Sequence, residues 1–385
     1  MRSSPLKSFL SVPGFPALVL TVLFLGGGIS FVAPFMSLFA TAEAGMSRLM
    51  LGAFLTSMSI SGILINTRLA RWSDTLENRK PLALAALVVG ATGYALFSVT
   101  RDHALLTLIG CVFLGVGGGS FPQIFSLAKE QVSSVNAEAA QKAVTALRSV
   151  FSLAWVVGPG IAAFLQARWG FTGLFLGTSG SFLAAALVLA TVRPAPRSGR
   201  PAAPVPRAPG SIAPPPAPEG PARPLLPLAA CFAVYGLAFS VGQILLPLFV
   251  TGDLHGTKGE YSLMVSLCAL LEIPVMLSFV FLPRRWRLDA LIAGAFLLFA
   301  AYATLLVTAH SVAPLIAAQA LRAVCVAITA SLGMAFFQDL LPDRVGTATA
   351  AFGNANATGQ MLAGITAGTV SQAFGYRPAF ALCAA

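Results

Sequence analysis

Apolar runs of about 20 residues, separated by short polar stretches, recur along almost the whole chain. They fall at about 15–40, 49–70, 82–100, 104–127, 144–167 and 171–192, and again at about 228–251, 262–283, 288–309, 312–338 and 346–371. A helix needs about 20 apolar residues to cross the hydrocarbon of a bilayer, so each run predicts a membrane-spanning helix. The first run follows Arg2 and Lys7 as the core of a signal peptide would. It continues to about Ala40 without a cleavage pattern, however, and reads as the first span. A twelfth run begins near Arg377, and the chain stops at Ala385, roughly nine residues in. A truncated twelfth helix is the expectation.

Between the sixth and seventh runs lies "RPAPRSGRPAAPVPRAPGSIAPPPAPEGPARP" (193–224). Proline at this density blocks helix formation and leaves no apolar face to bury, which predicts an exposed, semi-extended linker. The chain divides into a six-helix half at 1–192, a Pro-rich cytoplasmic linker at 193–227, and a second half at 228–385 with helices 7 to 11 and the start of helix 12. With both termini in the cytoplasm, the inner loops and tail carry 17 Lys and Arg, and the outer loops carry 5. Two more, Arg148 and Arg322, lie within spans. This asymmetry obeys the positive-inside rule and predicts a multi-pass protein of the cell (inner) membrane.

Composition points the same way. Of 385 residues 57% are hydrophobic and 10% charged, with a mean hydropathy of +0.83, whereas a soluble domain carries about 25% charged residues. The net charge of +11 is spread over loops rather than gathered in a patch, so no nucleic-acid partner is expected. Cys111, Cys231, Cys268, Cys325 and Cys383 lie in apolar stretches, are odd in number and lack metal-ligand spacing. No metal or cofactor is expected. No span or loop carries a nucleophile–base pair, so the chain does not read as an enzyme. A monomer in the lipid bilayer is the expected form.

The two halves echo each other. "WGFTGLF" (169–175) follows the fifth span and "FGYRPAF" (374–380) the eleventh; "SFPQIF" (120–125) closes the fourth and "AFFQDL" (335–340) the tenth; "APF" (33–35) in the first span parallels "LPL" (246–248) in the seventh. Three matches in the same order predict a duplicated six-helix unit. An all-α membrane protein of two six-helix bundles joined by a long linker has the architecture of a major facilitator transporter.

Polar residues inside the spans are the candidates for function. On the fifth helix Arg148, Ser152, Trp155 and Pro159 follow the i, i+4, i+7, i+11 pattern and share one face. An Arg at mid-membrane costs about 2.5–3.5 kcal/mol on insertion scales, so the stripe is expected to face a cavity between the halves. Arg148 either donates hydrogen bonds to substrate or to an acidic partner, or sits near the cytoplasmic interface and snorkels. Trp155 is the one tryptophan at mid-span; it either stacks on the C–H face of a sugar or packs. Glu272, in "LCALLEIPVML", is the one carboxylate within a predicted span, placed either to exchange protons or to form a structural ion pair with Arg148 or Arg322. Arg322 shares a face with Gln319 and Thr329 and is open to the same two readings. Gln123, Gln243, Gln338, Asn354, Asn356 and Gln360 add amides that both donate and accept, as a polyhydroxylated substrate requires. Some of them only bridge helices.

The loop "RLARWSDTLENRKPL" (68–82) is similar to the charged loop between helices 2 and 3 of major facilitators. Asp74, with Arg79 and Lys80, is read there as a cytoplasmic gate, the acidic group pairing with basic residues and a helix N-terminus. The alternative is that these are orienting charges only. The usual leading glycine is Ala70, and the basic pair is one residue late.

"PQIFSLAKE" (122–130), "LRSVFSLAWVVGPG" (147–160), "LLEIP" (270–274) and "FFQDLLPDRVGTAT" (336–349) resemble the sugar efflux transporter family within the major facilitators. The resemblance places Arg148, Trp155, Gly158 and Pro159 in its fifth-helix signature, Glu272 and Pro274 in the eighth, and Gln338 with Asp339 at the end of the tenth. The family's Gly-Pro-Pro stands here as Gly158-Pro159-Gly160. It implies a secondary transporter that exports sugars or small glycosides by proton antiport with alternating access. Trp155, Arg148 and the amides would bind substrate, Glu272 would couple to protons, and Asp74, Arg79 and Lys80 would gate. The alternative is efflux of multiple drugs or amphipathic compounds by the same fold.

Overall fold

The computed structural model describes residues 14–76, 78–133, 137–193, 225–279, 286–341 and 345–385. Residues 194–224 of the predicted linker lie outside them, and so does the side chain of Asp74, one of the predicted gate residues. Among the described residues every regular element is helical. The first half holds α1 (Phe15–Glu43), α2 (Arg48–Thr75), α3 (Lys80–Val99) and α4 (His103–Val132), then one helical run, Ala137–Thr191. That run breaks at Gly170 into α5 (137–169) and α6 (171–191). The second half holds α7 (Leu226–Asp253), α8 (Lys258–Ser278), α9 (Leu288–Thr308), α10 (Val312–Leu340), α11 (Val345–Phe374) and α12 (Tyr376–Ala384). Nine described segments are long and apolar enough to cross a membrane, and Ala146–Thr191 among them carries two spans. The protein is a multi-pass membrane protein.

Local chemistry sets where the helices start and stop. The Ser47 side chain accepts from the Met50 N–H to start α2, and Asp102 accepts from Leu105 N–H to start α4. Thr257 and Glu260 form a reciprocal capping box at the start of α8. The α5–α6 and α11–α12 reversals use Gly170 (φ 65°, ψ −165°) and Gly375 (φ 89°, ψ −177°), a conformation that a Cβ opposes. They are the glycines of the matched motifs "WGFTGLF" and "FGYRPAF".

The correspondence runs deeper than those motifs. α1 ends in a π-turn at Phe39–Glu43 and α7 in one at Phe249–Asp253, while α4 and α10 carry π-turns at Gly110–Leu114 and Ile328–Leu332. Ala44 N–H donates to Phe39 C=O and Met46 N–H to Ala40 C=O; Leu254 and Gly256 repeat both bonds, to Phe249 and Val250. Phe39 packs on Phe171 and Phe175, and Phe249 packs on Tyr376 and Phe380. A guanidinium lies over each of the two rings, from Arg101 on Phe39 and from Arg377 on Phe249.

The halves meet where α2 packs on α11 and the α5–α6 run packs on α8. At one end of the bundle the contact is close. A Cβ built on Gly52 would lie 2.5 Å from the Gly364 carbonyl oxygen and 2.9 Å from Gly368 Cα, so only glycine lets these backbones approach. Beside it Arg48 donates from Nη1 to the Ser371 carbonyl at 2.7 Å, with its guanidinium 4.1 Å over the Tyr376 ring. Phe35 meets Tyr261 edge-on at 5.9 Å, and Lys258 Nζ lies 5.0 Å over Phe171. At the opposite end Arg79 and Lys80 bond to residues of the first half. Arg79 Nε pairs with Glu130 at 3.1 Å, and Lys80 Nζ donates to the Ala190 and Val192 carbonyls at 2.6 Å each, where the C-terminal end of α6 attracts a cation.

Candidate functional site

Just inward of the Gly52–Gly368 contact lies a cavity of about 460 Å³ formed by both halves. It falls within the roughly 300–1,000 Å³ typical of small-molecule sites. α2 contributes Leu55, Met58 and Ser59; α7 contributes Phe239, Ser240, Gln243 and Ile244; α11 contributes Gln360 and Gly364. Two hydroxyls and two amides share it with thioether, aliphatic and aromatic surface, so the lining is amphipathic. Two of the amides singled out in the sequence, Gln243 and Gln360, line it. Ser59 and Ser240 were passed over in sequence, because a serine in a span usually bonds its own helix, as Ser59 Oγ does to the Leu55 carbonyl.

Beside Phe239 stands Arg322, 5% exposed. Its guanidinium lies 5.3 Å from the Phe239 ring centroid, and its Nη1 donates to Gln319 Oε1 at 3.3 Å. The Tyr302 hydroxyl hydrogen-bonds with Gln319 and Arg322, and Tyr235 bonds Thr329 at 3.1 Å. Among the described residues no carboxylate makes a salt bridge with Arg322. Glu272, half-buried on α8, lies within its electrostatic reach and makes no hydrogen bond of its own among the described residues. A buried cation and a half-buried carboxyl thus stand within electrostatic reach of each other, without a salt bridge among the described residues, and the cation lies against a ring that lines the cavity.

The other candidates take different places. Gln123 is 3% exposed, and its Oε1 accepts from Ser73 Oγ at 2.6 Å, which ties α4 to α2. Asn356 Nδ2 turns back to the Phe352 carbonyl at 3.0 Å. Asn354 is exposed, and Gln338 is half-buried near the end of α10. Trp155 is half-buried against the large apolar cluster shared by both halves, outside the cavity lining. Arg148 is exposed near the start of the fifth span. The Gly158 of the "GPG" motif has a packing reason: a Cβ there would collide with Ser30, whose hydroxyl already donates to the Ala154 carbonyl at 3.0 Å.

Among the described residues, twelve helices in two matched halves around a shared cavity have the architecture of a membrane transporter. The sequence pattern described as Major Facilitator Superfamily matches residues 18–226 and 228–385. A Deinococcus radiodurans protein, provisionally named a sugar efflux transporter, is 43% identical over 371 residues, covering 96% of this chain and 94% of that one. Sugar efflux transporter B of Salmonella typhimurium is 30% identical over 351 residues (90% and 86% covered), and sugar efflux transporter C of Escherichia coli is 30% identical over 370 (94% and 91%). Among solved structures, a nucleoside transporter superposes with a TM-score of 0.78 over 96% of each chain at 12% identity. A bacterial homologue of the human lysosomal transporter Spinster does so with 0.74 at 13% identity, over 97% of this chain and 83% of that one. These two share the fold. The chain belongs to the Major Facilitator Superfamily and, within it, to the sugar efflux transporter family.

Proposed function

We propose that the protein exports sugars or small glycosides in exchange for protons, its halves rocking about the cavity between α2, α7 and α11. The observation that carries this reading is the cavity itself: it draws on both halves, and Ser59, Ser240, Gln243 and Gln360 supply donors and acceptors for sugar hydroxyls beside apolar surface that suits the C–H faces. The names of the relatives support the cargo. Glu272 takes and releases the proton, Arg322 is its electrostatic counterpart, and Arg148 stands at the cytoplasmic mouth. Arg79 and Lys80 stand at the start of α3, just after the end of α2 that carries Asp74.

With both termini in the cytoplasm, as the loop charges favour, the end clasped by Gly52, Gly364 and Arg48 is the outer one. The structure then represents the state closed to the outside, the one that loads cargo from the cytoplasm for export. The apolar wall of Leu55, Met58, Phe239 and Ile244 favours a second reading, efflux of amphipathic compounds.

Inside-out vesicles containing the protein test both. Labelled lactose or glucose is expected to accumulate when the lumen is made acidic, and a protonophore is expected to abolish the accumulation. Accumulation that ignores the protonophore would remove proton coupling. Movement of an amphipathic dye without sugar movement would favour the second reading.

A further inference from the structure

Phe239 has two neighbours of different kinds. It lines the cavity with Ser240 and Gln243, and the Arg322 guanidinium, which is not part of that lining, lies 5.3 Å from its ring centroid, within cation–π range. The ring is braced by Tyr235, stacked at 6.0 Å and 29°, and by Phe299 at 6.2 Å. Arg322 is otherwise held by Gln319 and Tyr302 and has no carboxylate in salt-bridge contact among the described residues. The titratable groups around it are Tyr235 on α7, Tyr261, Cys268 and Glu272 on α8, Tyr302 on α9 and Cys325 on its own helix. Glu272 is the one carboxyl in this set.

We propose that Phe239 is the positioning residue that links cargo occupancy to proton exchange, because its ring is the partition between the cavity and the buried Arg322. Cargo seated against the cavity face turns the ring and withdraws the cation–π contact that helps hold the guanidinium away from Glu272. Arg322 then moves toward Glu272, the ion pair forms, and the carboxyl proton leaves to the cytoplasm. Cargo and proton thereby exclude one another on a single carrier, as antiport requires. The inference rests on the reading of the protein as a sugar/proton exchanger and adds the residue that connects the two sites.

The test uses the full chain, purified in weakly buffered detergent solution with a pH indicator, and lactose as the probe. Protons released per lactose bound are measured at saturating lactose, so that a change of affinity does not enter the ratio. The wild-type protein is expected to release protons on lactose addition. Phe239→Leu, which keeps apolar volume and removes the ring face, is expected to lower the ratio at least fivefold, and Phe239→Tyr to restore it. An unchanged ratio in Phe239→Leu overturns the proposal while leaving exchange intact as a function. A folded, monodisperse Phe239→Leu that no longer binds lactose also overturns it, making the ring a cargo contact only. If the wild-type protein binds lactose and releases no proton, proton coupling itself falls, and this inference falls with it.

Discussion

Glu272 and Arg322 stand close enough to interact and yet make no salt bridge among the described residues. Such a pair has two settings of the same charge, joined or apart, which is what a coupling device needs. Glu272→Gln fixes the neutral form. It is expected to abolish gradient-driven accumulation of lactose in vesicles and to spare lactose counterflow, which moves no net proton; accumulation that survives in Glu272→Gln would remove Glu272 from the coupling role. In the cavity, Gln243→Ala deletes donors and an acceptor at the proposed sugar seat. One lost hydrogen bond is worth about 0.5–1.5 kcal/mol net, so half-saturation for lactose is expected to rise about two- to tenfold. Gln123→Ala acts on the Ser73 bridge instead, and its effect is expected in thermal stability rather than in half-saturation. The sequence could not separate these two glutamines: each is a lone amide in an apolar span, and only the packing shows that one is satisfied by a neighbour and the other faces space. Phe239 was less legible still, because an aromatic residue among aliphatic ones looks the same whether it faces lipid, core or cavity.

At the scale of the element, the spans themselves were plain in the apolar runs, since burial in hydrocarbon selects for them directly. Their contacts were not, because glycine marks a close approach without saying to what. Gly158 meets Ser30 where α5 crosses α1. Gly158→Ala overfills that crossing, at an expected cost of about 1–3 kcal/mol in an unfolding assay, and Ser30→Ala in the same chain is expected to recover part of it. Gly364 serves a different crossing, where a Cβ would lie 2.5 Å from Thr56 Oγ1 and 2.8 Å from the Gly52 carbonyl oxygen. Gly364→Val therefore forces α2 and α11 apart at the clasped end. In vesicles of known sidedness the variant is expected to admit a membrane-impermeant thiol reagent from the outer face to a cysteine placed at Ser240, where the parent with Gly364 excludes it. Equal labelling of the two would show that the seal lies elsewhere.

For the whole molecule, the duplication was visible as three short matches, and the structure extends them to π-turns, backbone bonds and aromatic contacts that no residue identity records. The guanidinium over Phe39 comes from the α3–α4 loop, and the one over Phe249 comes from α12. The same requirement is met by two different routes, which is why sequence comparison of the halves misses it. Alternating access predicts a second global state with the clasped end open. Spin labels at Leu49 and Phe374, both exposed at that end, are expected to show a second, longer distance when lactose is present and the outer side is acidic. A single unchanged distance under every condition would argue against rocking.

Gly364 belongs both to the clasp between α2 and α11 and to the wall of the cavity. The two cannot be altered separately: drawing α11 away from α2 removes one side of the pocket in the same motion that opens the clasped end. Under the proposed cycle cargo would then need no separate signal to let go, since the form with the clasp open has a poorer grip by construction, while the gradients alone set the direction of net movement. A compound shaped to fill the closed pocket would do the reverse, acting as a wedge that keeps the clasped end shut from within.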